Sequence, residues 1–448
     1  MKEIKFIVFT ILALSFVNVF AQNGGTQQNR IGRAGTFAIT NARIVTVSGA
    51  EIPNGTLIIK NGKIAALGAG IVVPADAEKI DGTGLSVYPG MIDAGTNMGL
   101  LEIGGGAEGT VDVAETGDFN ANAKAILGLN PNTSHINVTR VSGVTTTQSL
   151  PVGSLIAGQS AIINLNGETQ DEMALVKEFA LVVNFPVIST FGGFSPLTGR
   201  QTLTFSQAVK RRDERLKKLK EQFEAGAKYA TVKDAETTDA SLPKQNTDLW
   251  LEALTPFVRG EKPVIFVAQN AAEIRGAVKL AEELKLKAII YGGGEAWKEA
   301  ELLSKQKVPV IFTRIYSNPG EDDAYDEFFA APALMKKAGV TFCISTGDDG
   351  ANVRELPIQA GMASAYGLSK DDALKSVTLY PAQILGIADR VGSLEVGKDA
   401  NVVVTDGDLL EIKTGVKYLF IGGRLLPLTS RHTELFDSFK DRTLPKTN

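Results

Sequence analysis

Two kinds of hydrophobic pattern divide the chain. Near both ends the apolar runs are short, β-branched and broken by turn residues: FAITNARIVTV and TLIIKNGKIAALG early, GSLEVGKDANVVVTDGD and VKYLFIGGRLL late. Asn61-Gly62 and Gly422-Gly423 sit between such runs and predict hairpins. Two strand-rich patches at opposite ends of one chain predict a small β-sandwich built from both, over residues 36–88 plus 391–427. Between them, GVTTTQSL, FALVVNF, KPVIFVA, KAIIYGG, VPVIFTR and VTFCIS are near-continuous apolar runs, the signature of parallel strands covered on both faces.

Helical periodicity separates several of these runs. AAEIRGAVKLAEELKL places Ile274, Ala277, Val278, Ala281 and Leu284 on one face, and Ser369 with Asp372 marks a capped helix start. No G-x-G-x-x-G follows the early strands, so the alternation predicts an α/β fold of the (β/α)8 TIM-like barrel type over residues 89–390 rather than a doubly wound sheet. Residues 205–228 predict a charged helix with seven Lys or Arg between 210 and 220. Interleaved Asp213, Glu214 and Glu221 favour a solvated helix with i,i+4 pairs over a polyanion dock. An exposed loop is expected over DAETTDASLPKQNTD.

Length and composition sharpen this picture. The 448 residues accommodate a barrel of about 250 residues plus the smaller domain. A formal charge of -4 gives no reason to expect a nucleic-acid partner. One cysteine, Cys343, excludes a disulfide framework, and its apolar setting VTFCIS reads as a buried, inert thiol. The N-terminus joins a basic MKEIK to a 15-residue apolar stretch ending VFA, which predicts a signal peptide over 1–21 and a secreted or periplasmic protein with no membrane span after cleavage. Residues 22–35 are expected to be a flexible linker, and 428–448 a C-terminal tail of open fate.

YPGMIDAG, the hairpins before it and PAQILGIADRVGSLEVGKDANVVVTDGD together make the chain resemble the amidohydrolase superfamily, in its imidazolonepropionase-like branch, over roughly residues 36–427. The resemblance implies C–N bond hydrolysis by one or two divalent metals at the C-terminal strand ends, since a bound metal lowers the pKa of water to about 7. It also implies Asp-x-His-x-His on the first barrel strand, where this chain has Asp93-Ala94-Gly95-Thr96-Asn97. Val267, beside Gln269 and Asn270, stands at the strand-five histidine, Tyr291 and glycines at the strand-six ligand, and Asp348 of STGDD at the strand-eight aspartate.

Two histidines in the whole chain, His135 and His432, cannot supply a three- or four-imidazole site. The expectation is therefore that the ancestral zinc or other divalent centre is lost and no cofactor is held. A substitute set of Asp93, Glu102, Asp348 and Asp349 would suit Ca2+ or Mg2+ weakly. Asp348 is the one candidate catalytic residue, with Asp93, Gly95, Asn97, Val267 and Gln269 as pocket or vestigial ligand positions. Asp348 reads either as a relic base or as an acceptor for loop amides, and His135 either as a barrel-mouth residue or as a structural side chain. The Gly-rich EIGGGAEG and YGGGEAW read either as anion cradles or as tight loops.

Three functions remain in play. One is a ligand-binding pseudoenzyme, one a protein-partner or homo-oligomer role that includes pairing with an intact relative, and one an active hydrolase with an atypical carboxylate site around Asp348.

Overall fold

The computed structural model describes residues 29–103, 108–195, 199–347 and 350–442. An eight-stranded sheet takes strands from both ends of the chain: Phe37–Ile44, Ile52–Lys60, Lys63–Gly68, Glu78–Asp81 and Ser86–Pro89 join Val402–Thr405, Val416–Ile421 and Arg424–Leu425. Both expected hairpins are present, turning at Asn61-Gly62 and at Gly422-Gly423. The two contributions meet where Val402–Thr405 pairs antiparallel with Ser86–Pro89. Phe37, Ile39, Leu57, Ile59, Val402 and Phe420 form the apolar interior of this layer.

The expected apolar runs become the strands of the second unit. Met91–Thr96 pairs parallel with Val144–Ser149, and Leu181–Asn184, Val264–Ala268, Ala288–Gly292, Val310–Phe312 and Phe342–Ile344 follow one another in parallel order. Alternate residues point inward: Ile92, Val182, Ile265, Ile289, Ile311 and Cys343 pack together in the barrel interior. Each buried aliphatic side chain of this kind contributes roughly 1.5–3 kcal/mol.

The third position departs from the strict (β/α)8 expectation. Residues 156–164 form one extended run, interrupted at Ser160, that is antiparallel to both Val144–Ser149 and Leu181–Asn184. No helix intervenes between Ser149 and this run, because the linking segment PVGSL is too short and too rich in Pro and Gly for one. Ser160 holds the interruption: its Oγ accepts from Gln148 Nε2 at 2.8 Å and its N–H donates to the Ala180 carbonyl at 2.8 Å.

Sequence and structure differ at two further places, and the structure gives the described part of the tail a form the sequence had left open. The charged helix runs Phe205–Thr238, ten residues beyond the periodic segment, so only 239–248 of the expected loop is irregular. Thr237 and Thr238 hydroxyls donate back to the Lys233 and Asp234 carbonyls and sustain the last turn. The described part of the expected linker is tied down: Asn29 is buried and donates to the Pro131 and Thr133 carbonyls, while Arg33 and Leu425 exchange backbone hydrogen bonds of 3.0 Å. The tail forms an exposed helix, Arg431–Phe439, anchored by Asn137 Oδ1 accepting from Arg431 N at 3.1 Å. The signal-peptide segment 1–21 lies outside the described residues.

Candidate ligand site at the barrel mouth

In such barrels chemistry gathers at the C-terminal ends of the strands. On the first strand the Asp93 carboxylate is completely buried, and its two oxygens are taken up by the end of the last strand. Ser345 Oγ donates to Oδ1, and Thr346 donates to Oδ2 from its hydroxyl at 2.6 Å and its backbone N–H at 3.1 Å. Gly95 N donates to Oδ1 at 3.2 Å. Below this clasp the seam closes through Ser376–Val377: Ile344 N donates to the Ser376 carbonyl and Ile92 N to the Val377 carbonyl. Asp93 thus joins strand one to strand eight. Burial raises its pKa above the usual carboxylate range despite the opposing bonds from Ser345, Thr346 and Gly95.

Gly95 and Tyr291 occupy one space. A Cβ placed on Gly95 would lie 2.3 Å from Tyr291 Cε2 and 3.0 Å from Leu150 Cδ1. The Tyr291 hydroxyl donates to the Gly95 carbonyl at 3.2 Å, and the Ser345 hydroxyl reaches the same carbonyl at 3.1 Å. Val267 is in register with Tyr291 on one side and Asn184 on the other, so the strand-five and strand-six positions lie at one level of the barrel. Gln269 continues from that level and lies across Gly292, whose φ is +100° and where an added Cβ would fall 2.3 Å from Gln269 Nε2, so the position suits glycine alone. The glycines of YGGGEAW therefore make a tight turn, with Gly293 N bonded to the Ala268 carbonyl.

Asp348 and Asp349 lie outside the described residues, as do residues 104–107 of EIGGGAEG. Their neighbour Gly350 is described: a Cβ there would fall 2.9 Å from His135 Nδ1, and its carbonyl accepts from the Thr139 hydroxyl. His135 therefore sits against the strand-eight loop, its Nδ1 buried and without a hydrogen-bond partner among the described residues. Asn97 Oδ1 is likewise buried and, among the described residues, without a hydrogen-bond partner. Glu102 is engaged by Ser134, whose hydroxyl and N–H both donate to its Oε1.

Comparison with known proteins agrees with this architecture. A model of the amidohydrolase family matches residues 288–426. The crystal structure of an amidohydrolase from Thermotoga maritima MSB8 superposes with a TM-score of 0.76 at 26% identity, covering 88% of this chain and 100% of that one. In sequence over residues 288–426, and in fold over most of its length, the chain is similar to the amidohydrolase superfamily. A putative prolidase from Bifidobacterium longum shares the fold, with a TM-score of 0.51 at 17% identity over 92% of this chain and 99% of its own. The amidohydrolase tasK of Hapsidospora irregularis is 24% identical over 370 residues, 78% of this chain, and the match spans 37% of that protein's length.

Set against the metal centre that the superfamily implies, the donors among the described residues do not fit. Asp93 has its lone pairs committed to four donors, Tyr291 fills the space a first-strand imidazole would need, and Val267 offers no donor atom. Among the described residues no three His, Cys, Asp or Glu side chains come together as a metal-binding group. The Asp93 carboxylate is instead spent on holding the first and last barrel strands together.

What this chain keeps at its barrel mouth is a cavity of about 730 Å³ lined in part by Val267 and Gln269. Phe185, Pro186 and Val187 form an apolar wall, with the Phe185 ring packed on Gly276. The lining also carries Arg211 and Arg215, one turn apart on the charged helix. The structure brings Val267 and Gln269 together here, while Asp93 and Gly95 lie beneath the Tyr291 plug. Sequence reasoning missed the two arginines: their spacing of four residues was visible, but the direction of that helix face was not.

Proposed function

We propose that this protein is a non-catalytic member of the amidohydrolase superfamily that binds a small molecule in the barrel-mouth cavity, without a catalytic metal. The observation that carries the reading is the Tyr291 ring in the place of the first-strand ligands, bonded to the Gly95 carbonyl above an Asp93 with no free oxygen. A hydrolytic centre needs an open coordination position and rigidly placed donors; here both are traded for packing and hydrogen bonds. The export-type segment at residues 1–21 supports a secreted or periplasmic site of action.

The test is elemental analysis of protein purified without chelator and then incubated with Zn2+ or Mn2+, together with turnover assays on N-acyl amino acids and dipeptides. Less than a tenth of an equivalent of tightly held metal, and no turnover above buffer, is the expected result. One or two equivalents per chain with chelator-sensitive hydrolysis overturns the proposal.

A further inference from the structure

The end of the barrel opposite the mouth holds a second cavity, of about 590 Å³. It lies at the N-terminal ends of four neighbouring parallel strands: Phe179, Pro263, Ala288 and Pro309 line it, at or just before the starts of Leu181–Asn184, Val264–Ala268, Ala288–Gly292 and Val310–Phe312. Small-molecule sites have volumes of roughly 300–1,000 Å³. The wall is apolar. Val278, Leu286 and Val308 are buried along it, and Ile289 joins it to the packed barrel interior.

This wall has little to offer a polar ligand. Pro263 and Pro309 carry no N–H, and the Lys287 and Pro309 carbonyls already accept from Val264 N at 2.8 Å and Ile290 N at 2.9 Å. Gln306 Nε2 is turned to Glu282 at 3.4 Å. The charge is on the rim. Lys287 immediately precedes Ala288–Gly292, and Lys307 closes helix Ala300–Gln306 just before Val310–Phe312; these two strands are adjacent, with Ile290 opposite Val310. Both lysines are exposed and line the cavity, and among the described residues neither forms an ion pair. Two like charges on one rim, neither of them neutralised, favour an anion there. The carboxylates of the same rim are otherwise engaged, Glu261 at 3.9 Å from Arg259 and Glu282 with Gln306, and they oppose a ligand carrying more than one negative charge.

We infer that this cavity binds a monocarboxylate with an extended apolar body, a medium-chain fatty acid. Lys287 and Lys307 take the carboxylate at the rim, and the wall of Val278, Leu286, Ile289 and Val308 covers the chain. The site is separate from the mouth and does not depend on the function proposed for it.

The test is calorimetric titration of the full-length protein with octanoate, butanoate and octanamide. Octanoate is expected to bind. Octanamide, which lacks the charge, should bind about tenfold more weakly or worse. A fully buried methylene tightens binding about fourfold, so butanoate, four methylenes shorter, should lose at least about tenfold even where the chain is half covered. Changing Lys287→Gln and Lys307→Gln together, both at exposed positions that leave the core alone, should weaken octanoate at least about tenfold and leave octanamide unchanged. Arg211→Gln at the mouth should leave octanoate affinity as it is. Equal binding of octanoate with either of the other two, or a loss that follows Arg211→Gln in place of the lysine changes, overturns the inference. So does the absence of octanoate binding at about 10 mM by ligand-observed NMR. Metal-dependent turnover would refute the non-catalytic reading of the mouth and leave this site standing.

Discussion

The plug can be tested by making room for it and taking that room away. Gly95→Ala adds one methyl 2.3 Å from Tyr291 Cε2, closer than any relaxed contact, so the ring has to move. Overpacking of this kind costs about 1–3 kcal/mol, and displacing the Tyr291 hydroxyl from the Gly95 carbonyl adds about 0.5–1.5 kcal/mol. The expected loss is therefore about 2–4 kcal/mol. In a Tyr291→Ala background the added methyl meets only Leu150 at 3.0 Å, and the strand gains from replacing glycine, so the same change should cost under about 1 kcal/mol. The coupling between the two sites is then about 1.5–3 kcal/mol, read from urea unfolding of the four proteins by circular dichroism, with m-values compared so that a change of unfolded-state compactness is not mistaken for coupling. If Gly95→Ala costs the same in both backgrounds within about 0.5 kcal/mol, ring and strand are not in contact and the case against a first-strand ligand loses its basis.

Asp93 gives a pH signature. Its folded pKa is raised by burial, so between about 4 and that raised value the folded protein holds a proton that the unfolded chain has released. Stability must then fall as pH rises through this window, by up to about 1.4 kcal/mol per pH unit. Asp93→Asn, an amide mimic of the protonated acid, should flatten that slope in urea midpoints taken from pH 4.5 upward. Asp372 and Glu395 do not confuse the window: Asp372, where bonds from Lys336, Tyr380 and Ser369 outweigh burial, and Glu395, bonded by Ser393 and Lys398, are both held at about 2, so their stabilisation is complete above about 4 and lost below it. Cys343 is fully buried and its thiol is pushed well above the usual range by burial and by the nearby Asp93, so Ellman's reagent should find no reactive thiol in native protein and one in urea. Rapid native labelling would show that the barrel interior opens.

Much of the fold could be read from periodicity. The six apolar runs quoted between the end patches all became parallel barrel strands, and the helix at Ala271–Leu284 buries the face its spacing named. The antiparallel run at 156–164 escaped because a short apolar segment carries no mark of its direction; only the missing helix before it does. At the site, composition already showed too few imidazoles. It could not show what replaces them, since the meeting of Tyr291 with Gly95 spans 196 residues of sequence and the Asp93 clasp more than 250. The expected linker failed at Asn29 and Arg33 for the same reason: a polar, Gly-rich stretch looks free until distant partners, here Thr133 and Leu425, are brought to it.

The sheet drawn from both chain ends sets a schedule for folding. Ser86–Pro89 finds its partner only at Val402–Thr405, some 313 residues later (402 minus 89). At ribosomal rates of about 5–20 residues per second, that interval is on the order of 15–60 s. Throughout it the flank of Phe37–Ile44, Ile52–Lys60 and Ser86–Pro89 ends in an unpaired edge, the kind of surface on which nascent chains join one another. Pro89, which has no N–H to offer, closes one end of that edge, and the rest of the wait falls to whatever holds the growing chain apart from its neighbours.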